Sequence, residues 1–389
     1  MQTFDLTPPE IIRAARAMTM APGEGLLFDA ALLVDNGVVF DVGPFAEIRA
    51  AHPGVAVTDL GGATLVPGLI NAHCHLELCH LAGKIPPGLG FPGWIRALIG
   101  QEMYDLDEEE IRAALEGMKR GGVCCVGDIA TRNAEAVAGI LDGSGFFFVV
   151  FQEHIFFAEP QEGREWVPDA LFESGELSAA GHALYSTHPR TLRLAKEQTL
   201  EMGLPFSIHL AEHEAECAML RGEENAFLDL LREANILLDN FRAPGQTPTA
   251  YARSLGLLDE STLAVHCVHL TPEDVALLAG SGASACLCPR SNEYIGVGRA
   301  PWEALAAAGV NCCLGTDSLA SNTDLDLWNE VRFLKERWRG ALALEQAVAM
   351  VTTNPARALG LSCLGELSPG RAARWAVVPA DVEDMFDHA

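Results

Sequence analysis

Histidine and aspartate side chains follow several apolar segments of this sequence in an arrangement that could bind a metal ion. His73 and His75 are two residues apart, so on a β-strand both imidazoles would point to the same side. His209 and Asp317 end two later apolar segments, and they complete a candidate donor set of three imidazoles and one carboxylate. Such donors suit zinc, and they also accept iron or manganese. The sequence therefore predicts one divalent metal, with zinc as the first choice.

Two more residues are placed where they could act on water at such a metal. Glu212 lies three residues after His209, and a glutamate there can move a proton from the water to a leaving group. His266 ends another apolar segment and could hydrogen-bond the same water or the substrate. We therefore predict Glu212 and His266 as catalytic residues of a hydrolytic reaction.

The stretch from His209 to His213 also matches the HxxEH pattern of a class of zinc proteases. That pattern requires both histidines and the glutamate on one helix. The apolar segment Phe206–Ile208 follows a proline and favours a strand that ends at His209. The protease alternative also leaves the HxH pair without a role.

Eight apolar segments between residues 65 and 320 predict the strands that hold these side chains. Helix-like stretches separate them, and eight strand–helix units over roughly 250 residues predict an α/β fold of the (β/α)8 TIM-barrel type. A doubly wound parallel sheet is the alternative. The predicted strands are Leu65–Asn71, Val123–Ile129, Phe146–Phe151, Ala183–Thr187, Pro205–Ile208, Thr262–Val265, Ala283–Leu287 and Val310–Leu314. In a barrel, the residues that follow the strands meet at the C-terminal mouth, where such enzymes build their sites.

The two ends of the chain have a different pattern. Residues 22–64 alternate short Val- and Leu-rich strands with DNG and GG turns, and Leu367–Val378 has the pattern of one further strand. We predict a small β-sandwich domain from residues 1–64 and 359–389, with the barrel in residues 65–358. Leu81–Gly93, rich in proline and glycine, is predicted to be a loop and lid at the barrel mouth.

Composition limits the partners. The 389 residues include 26 Lys and Arg against 53 Asp and Glu, a net charge of −27 that disfavours nucleic acid and anionic membrane surfaces. No apolar run has the length of a membrane helix, and the first residues lack the features of a secretory signal. Eleven cysteines, mostly in apolar segments, are typical of a reduced cytoplasmic protein.

Several motifs together resemble the amidohydrolase superfamily over nearly the whole chain. They are Leu65–Glu77 (LVPGLINAHCHLE), His209–Glu212 (HLAE), Val265–Leu270 (VHCVHL), Leu314–Asn322 (LGTDSLASN) and Thr352–Leu361 (TTNPARALGL). The resemblance is greatest to the mononuclear aminohydrolase branch, which contains adenosine-, S-adenosylhomocysteine- and guanine-type deaminases and the triazine hydrolases. It implies a small-molecule nucleoside substrate, and it leaves a homodimer open because many relatives are dimers.

The resemblance also implies a role for individual residues. It makes His73, His75, His209 and Asp317 metal ligands, Glu212 the proton shuttle, and His266 a non-ligand that positions water. Asp317 is also the expected partner that deprotonates the water. The segment Gly181–Thr187 is similar to a family segment whose histidine meets the substrate, which makes His182 a substrate contact.

Three further segments resemble the 6-aminodeoxyfutalosine deaminases of menaquinone synthesis: HLELCHL, KIPPGLGFPGWI and CPRSNEY. On this basis we expect Glu77, Arg290, Ser291 and Asn292 to contact substrate. A benzoate on that substrate would need a counter-charge, for which Arg290, Lys84 and Arg96 are the candidates. The open alternatives are deamination of S-adenosylhomocysteine, methylthioadenosine or adenosine, a triazine-type chlorohydrolase, a cyclic amidohydrolase and a non-catalytic binding protein.

Overall fold

The computed structural model describes residues 8–103, 105–155, 157–160, 177–233 and 241–387. Within these ranges the strands form two sheets, one of eight strands and one of six. The eight-stranded sheet consists of β6 (Leu69–Cys74), β7 (Val123–Ala130), β8 (Phe147–His154), β9 (Leu177–Ala183), β10 (Phe206–Leu210), β11 (Thr262–His266), β12 (Ser284–Leu287) and β13 (Asn311–Leu314).

The eight strands run parallel and in chain order, which confirms the predicted TIM barrel. The barrel closes between its first and last strands, where the Asp317 N–H donates to the His73 carbonyl over 3.0 Å. Cys74 forms a parallel bridge with Asp317 at the same place. Closure therefore brings a residue of the HxH motif directly beside Asp317.

Helices and one 3₁₀ segment (Leu76–Leu81) connect the strands; the first helix packs against the smaller sheet, whereas helices such as Pro189–Met202 pack against the barrel. The helices are α1 (Phe45–Ala51), α2 (Gly90–Ile99), α3 (Glu108–Arg120), α4 (Ala134–Asp142), α5 (Pro189–Met202), α6 (Glu214–Arg221), α7 (Ala226–Glu233), α8 (Pro248–Ser254), α9 (Pro272–Ser281), α10 (Pro289–Ile295), α11 (Trp302–Ala307), α12 (Leu327–Arg337), α13 (Leu344–Ala349), α14 (Thr353–Ala358) and α15 (Ala380–Asp387). Several begin at a residue whose side chain accepts a backbone N–H, as Asp107 and Thr271 do. No helix in the described ranges is long and apolar enough to span a membrane.

Two predicted strands are wrong in position. The first, Leu65–Asn71, is divided at Gly68 between the two sheets, because the Gly68 N–H donates to the Arg374 carbonyl of the smaller domain. A Cβ on Gly68 would lie 2.6 Å from Cys124 Sγ, so the chain can cross here only without a side chain. The predicted strand Ala183–Thr187 is mostly a turn that follows β9.

The predicted position of the fourth strand is wrong because the strand consists mostly of small residues. Residues 177–183 read LSAAGHA, a pattern with little apolar bulk. Gly181 is packed so closely that a Cβ there would lie 2.1 Å from Leu192 Cδ2 of α5. The correct position puts His182 inside β9 near its C-terminal end.

The second sheet draws on both ends of the described chain. Its strands are β1 (Glu10–Ala17), β2 (Leu27–Asp35), β3 (Val38–Pro44), β4 (Ala56–Asp59), β5 (Thr64–Pro67) and β14 (Trp375–Val377). Strand β14 pairs antiparallel with β5, so the C-terminal segment returns to the N-terminal one. The exact domain limits at residues 64 and 358 stay a prediction.

Candidate metal centre

Three histidines meet at the C-terminal mouth of the barrel. His73 lies in β6, His75 is the first residue after the end of β6, and His209 lies in β10. One ring nitrogen of each lies within 4.8 Å of the others, and His75 Nε2 is 3.2 Å from His73 Nε2. Asp317 Oδ1 is 3.5 Å from His75 Nε2 and 3.8 Å from His73 Nε2. The structure thus brings together all four donors that the sequence suggested.

The protonation of these rings suits metal binding. Burial lowers the pKa of His73 well below its ordinary value, and the neighbouring imidazoles lower it further. Burial and the nearby His182 lower the pKa of His209 to about 3. His209 Nδ1 donates to the His182 carbonyl over 2.9 Å, which leaves Nε2 with its lone pair. Neutral imidazoles beside a carboxylate are a donor set that fits a divalent metal such as zinc.

Asp317 is held by hydroxyl and backbone donors. The Ser291 and Ser321 hydroxyls donate to Oδ2 over 2.6 and 3.0 Å, and the Ser318 N–H donates to Oδ1 over 2.8 Å. Burial alone would raise the pKa of Asp317, but His75, His266 and these donors lower it overall. The carboxylate therefore stays ionised and keeps one orientation toward the histidines.

Glu212 and His266 form an acid–base pair beside the donor set. Glu212 Oε1 lies 3.6 Å from His266 Nε2, and both side chains are buried. Burial raises the pKa of Glu212 well above its ordinary value, and the carboxylates of Asp317 and Glu216 raise it further. His266 Nδ1 donates to Asn292 Oδ1 over 3.0 Å, which orients its Nε2 toward Glu212. These surroundings therefore favour the protonated form of Glu212.

Glu216 is a buried residue that sequence reasoning missed. Its two carboxyl oxygens accept the N–H groups of Ala211 and Glu212, over 3.2 and 2.9 Å. Ala211 has a left-handed φ of 52°, which is uncommon for a residue with a side chain. Glu216 thus holds the turn that directs Glu212 into the mouth. Its position four residues after Glu212, on the following helix, was the available signal.

A cavity lies over the donor set and has one apolar and one polar side. The apolar side consists mainly of side chains from α2 and its neighbours: Phe91, Trp94, Ile95, Leu98, Met103 and Tyr185. Trp94 Nε1 donates to the Ala320 carbonyl over 3.0 Å, which ties α2 to the loop after the last strand. The polar side includes Glu77, Thr131, Glu153 and His182. Helix α2 begins at Gly90, inside the segment Leu81–Gly93 that was predicted to be a loop, and its side chains form much of the apolar wall of the cavity.

The predicted substrate contacts divide into two groups. His182 and Glu77 line the cavity. The Glu77 carboxylate also accepts the N–H of Thr131 over 2.7 Å and of Asn133 over 3.3 Å, so it fixes the loop before α4. Ser291 and Asn292 are absent from the described lining and lie behind it, where they hold Asp317 and His266.

The three candidate counter-charges lie elsewhere. Arg290 forms a two-bonded ion pair with Asp324 and lies 3.6 Å from the buried Glu330 carboxylate. Arg96 and Lys84 are exposed, and Arg96 is 4.0 Å from Glu233. None of the three belongs to the described cavity lining, so the expectation that they face the substrate has no support from their positions.

Residues 64–388 match the amidohydrolase family. The chain is 30% identical over 376 residues to a 5-methylthioadenosine/S-adenosylhomocysteine deaminase of Moorella thermoacetica, which covers 91% of this chain and 82% of that protein. It is also 30% identical over 310 residues to an aminodeoxyfutalosine deaminase of Deinococcus radiodurans, covering 76% and 73%. The solved Helicobacter pylori aminofutalosine deaminase in complex with methylthio-coformycin shares the fold, with a TM-score of 0.85 at 22% identity over 98% of this chain and 96% of that one.

Proposed function

The chain belongs to the amidohydrolase family and is a hydrolase of non-peptide C–N bonds, and on that premise we propose that it deaminates an adenine nucleoside modified at C5′. The observation that carries the proposal is the pair Glu212 and His266, 3.6 Å apart beside three histidines and Asp317. Two relatives at 30% identity support it: one is named a 5-methylthioadenosine/S-adenosylhomocysteine deaminase and the other an aminodeoxyfutalosine deaminase. The reaction would replace the exocyclic amine at C6 with oxygen and release ammonia.

The donor set of three imidazoles and one carboxylate favours zinc as the metal, with iron or manganese as alternatives. A bound divalent metal supplies Lewis-acid activation of water. Asp317 accepts a proton of the attacking water, and the Ser291 and Ser321 hydroxyls keep its carboxylate in place. Glu212 donates a proton to the ring nitrogen next to C6, takes up the proton of the hydroxyl added at C6 as the carbonyl forms, and delivers that proton to the departing amine. The proton that Asp317 took from the water then returns to Glu212 and restores both groups. His266 Nε2 hydrogen-bonds the hydroxyl that has added at C6.

For the 5′ substituent we propose the benzoate-bearing group of aminodeoxyfutalosine. The apolar wall of Phe91, Trp94 and Leu98 offers surface on which an aromatic ring can pack. The relative from Deinococcus radiodurans supports this substrate, which would assign the enzyme to menaquinone synthesis. The carboxylate of the benzoate would then point out of the mouth toward solvent.

The charge of the cavity favours methylthioadenosine as a second candidate. Four carboxyl groups line the cavity (Glu77, Glu153, Glu212 and Asp317), and no lysine or arginine is present in the lining among the described residues. An anionic substituent would be repelled there, whereas a methylthio group is neutral and apolar. Comparing kcat/KM for aminodeoxyfutalosine, its analogue without the carboxylate, methylthioadenosine and S-adenosylhomocysteine decides between the two.

The test of the deaminase proposal is Glu212→Gln. We expect kcat for ammonia release from the best substrate to fall by about 10²- to 10⁴-fold, because the glutamine cannot exchange a proton. Metal content should stay at one ion per chain, as measured by elemental analysis. Glu214→Gln is the matched control, since Glu214 is exposed and two residues away. A Glu212→Gln enzyme with near-normal kcat would contradict the proposed chemistry.

We also propose a cytoplasmic location. All eleven cysteines are free thiols, and most are buried, which suits a reducing compartment. A homodimer stays a prediction from the resemblance.

A further inference from the structure

Glu153 is a buried acidic residue with one carboxyl oxygen left without a partner. It lies at the C-terminal end of β8, is 5% exposed and lines the cavity. Oε2 accepts the Thr131 hydroxyl over 2.7 Å, whereas Oε1 has no hydrogen bond. Buried polar atoms in folded proteins are nearly always paired, so an unpaired carboxyl oxygen on a residue that lines a cavity is a candidate acceptor for a donor of the bound molecule.

The neighbouring rings do not supply that donor. The closest is His209, whose Nδ1 is 3.8 Å from Glu153 Oε1, too far for a hydrogen bond. The same Nδ1 already donates to the His182 carbonyl over 2.9 Å. His182 Nδ1 is hydrogen-bonded to the Ser186 hydroxyl. Among the described residues no hydrogen-bond donor is paired with Oε1, so this oxygen is available to a donor of the molecule that fills the cavity.

The proposed substrate class limits what that donor can be. An adenine nucleoside carries hydrogen-bond donors on the exocyclic amine and on the ribose hydroxyls. The amine is the leaving group, so it belongs beside Glu212, which follows the fifth barrel strand, and His266, which ends the sixth. Glu153 is on the third strand, at another part of the mouth. A methylthio substituent at C5′ carries no donor, so in methylthioadenosine the 2′ and 3′ hydroxyls are the donors that remain.

We propose that Glu153 is a specificity-determining residue whose Oε1 accepts a hydrogen bond from a ribose hydroxyl of the substrate. The inference rests on the proposed function, because the donors are those of an adenine nucleoside. It makes the enzyme selective for ribonucleosides over their deoxy counterparts. The Thr131 hydroxyl donates to Oε2 and so fixes the carboxyl group, which belongs to the cavity lining.

The test compares Glu153→Gln with the wild type on methylthioadenosine and on its 2′-deoxy and 3′-deoxy analogues. We expect the wild type to favour the ribonucleoside over at least one deoxy analogue by about 10- to 100-fold in kcat/KM, the range of one hydrogen bond to a charged group. Glu153→Gln should lose most of this preference, because kcat/KM falls for the ribonucleoside and changes little for that deoxy analogue. Glu159→Gln, an exposed residue of the same segment, is the matched control and should behave as the wild type.

Two measurements separate this inference from its alternatives. Zinc content should be equal in wild type and Glu153→Gln; loss of zinc would mean that the cluster of Glu153, His182 and His209 binds metal, and would overturn the inference. An equal fall in kcat/KM on all three substrates, or no preference in the wild type, would overturn it as well.

Calorimetric binding of 5′-methylthioinosine and its 2′-deoxy and 3′-deoxy forms tests the ribose contact without any turnover. A Glu153-dependent preference in binding without any deamination would refute the proposed function and leave the ribose contact standing.

Discussion

Replacing Glu216 by alanine should impair proton transfer although Glu216 does not line the cavity. Its carboxyl oxygens are the acceptors for the N–H groups of Ala211 and Glu212. Ala211 has a φ of 52°, so the turn that presents Glu212 is held in a left-handed conformation. Such a conformation costs about 1–2 kcal/mol for a residue with a Cβ. In the wild type the two hydrogen bonds offset that cost.

The alanine variant leaves two buried N–H groups without an acceptor. At about 1–3 kcal/mol for each unsatisfied group, the penalty is about 2–6 kcal/mol, which is larger than the strain. The turn should therefore relax out of the left-handed region, and the Glu212 carboxyl group should move away from its position 3.6 Å from His266 Nε2. We expect kcat to fall by about 10²-fold, toward the value of the Glu212→Gln enzyme. KM should change by less than about threefold, because no side chain of the cavity is removed.

The assay combines steady-state kinetics with thermal unfolding and metal analysis. Glu216→Gln keeps one acceptor oxygen at the same place, so it should recover part of kcat. Glu214→Gln, on the same helix but exposed, should leave kcat unchanged. The reasoning is refuted if Glu216→Ala keeps normal kcat at full metal content. It is refuted equally if the loss of kcat only follows the fraction of unfolded protein at the assay temperature.

Two further substitutions test other contacts of the centre. Ser291→Ala removes the 2.6 Å hydrogen bond to Asp317 Oδ2, and we expect zinc affinity to fall by about tenfold in chelator competition; unchanged affinity would mean that the hydroxyl does not position Asp317. Arg290→Met removes the ion pair with Asp324 and the cationic neighbour of Glu330, and should destabilise the fold by about 1–3 kcal/mol in denaturant unfolding. The loss stays in this range because burial raises the pKa of Glu330 to about 8, so its carboxyl group can remain buried as the neutral acid. The substitution should not change the ratio of kcat/KM between carboxylate-bearing and neutral nucleosides, and a selective loss on the former would restore Arg290 as the counter-charge.

The barrel and the donor set could be predicted because both follow from short-range patterns. His73 and His75 share a face through the two-residue period of a strand. His209, His266 and Asp317 come at or after the ends of parallel strands, and the topology of a TIM barrel brings all such ends to one mouth. Where the pattern of apolar residues was weak, as in the small-residue strand β9, the position of the strand was wrong.

The partners of the remaining residues could not be predicted because they are distant in sequence. Arg290 was expected to face the substrate, and only the tertiary structure places Asp324 and Glu330 beside it. Ser291 is hydrogen-bonded to Asp317 and Asn292 to His266, because α10 follows β12 at the mouth of the barrel. The spacing of these residues along the chain does not indicate either contact. The net charge of −27 disfavours polyanionic partners of the whole protein. The structure adds that the cavity itself is lined by carboxyl groups.

The sequence by itself thus determined the fold class, and it predicted which residues could bind a metal and which residue could move a proton. These depend on residue type and on the periods of strand and helix, which are local properties. The tertiary structure alone decided that Glu216 directs Glu212, that Glu153 keeps an unpaired oxygen in the cavity, and that the three predicted counter-charges lie outside its described lining. Those facts depend on which side chains the closed barrel brings within hydrogen-bonding distance, and that distance is set by packing rather than by spacing along the chain.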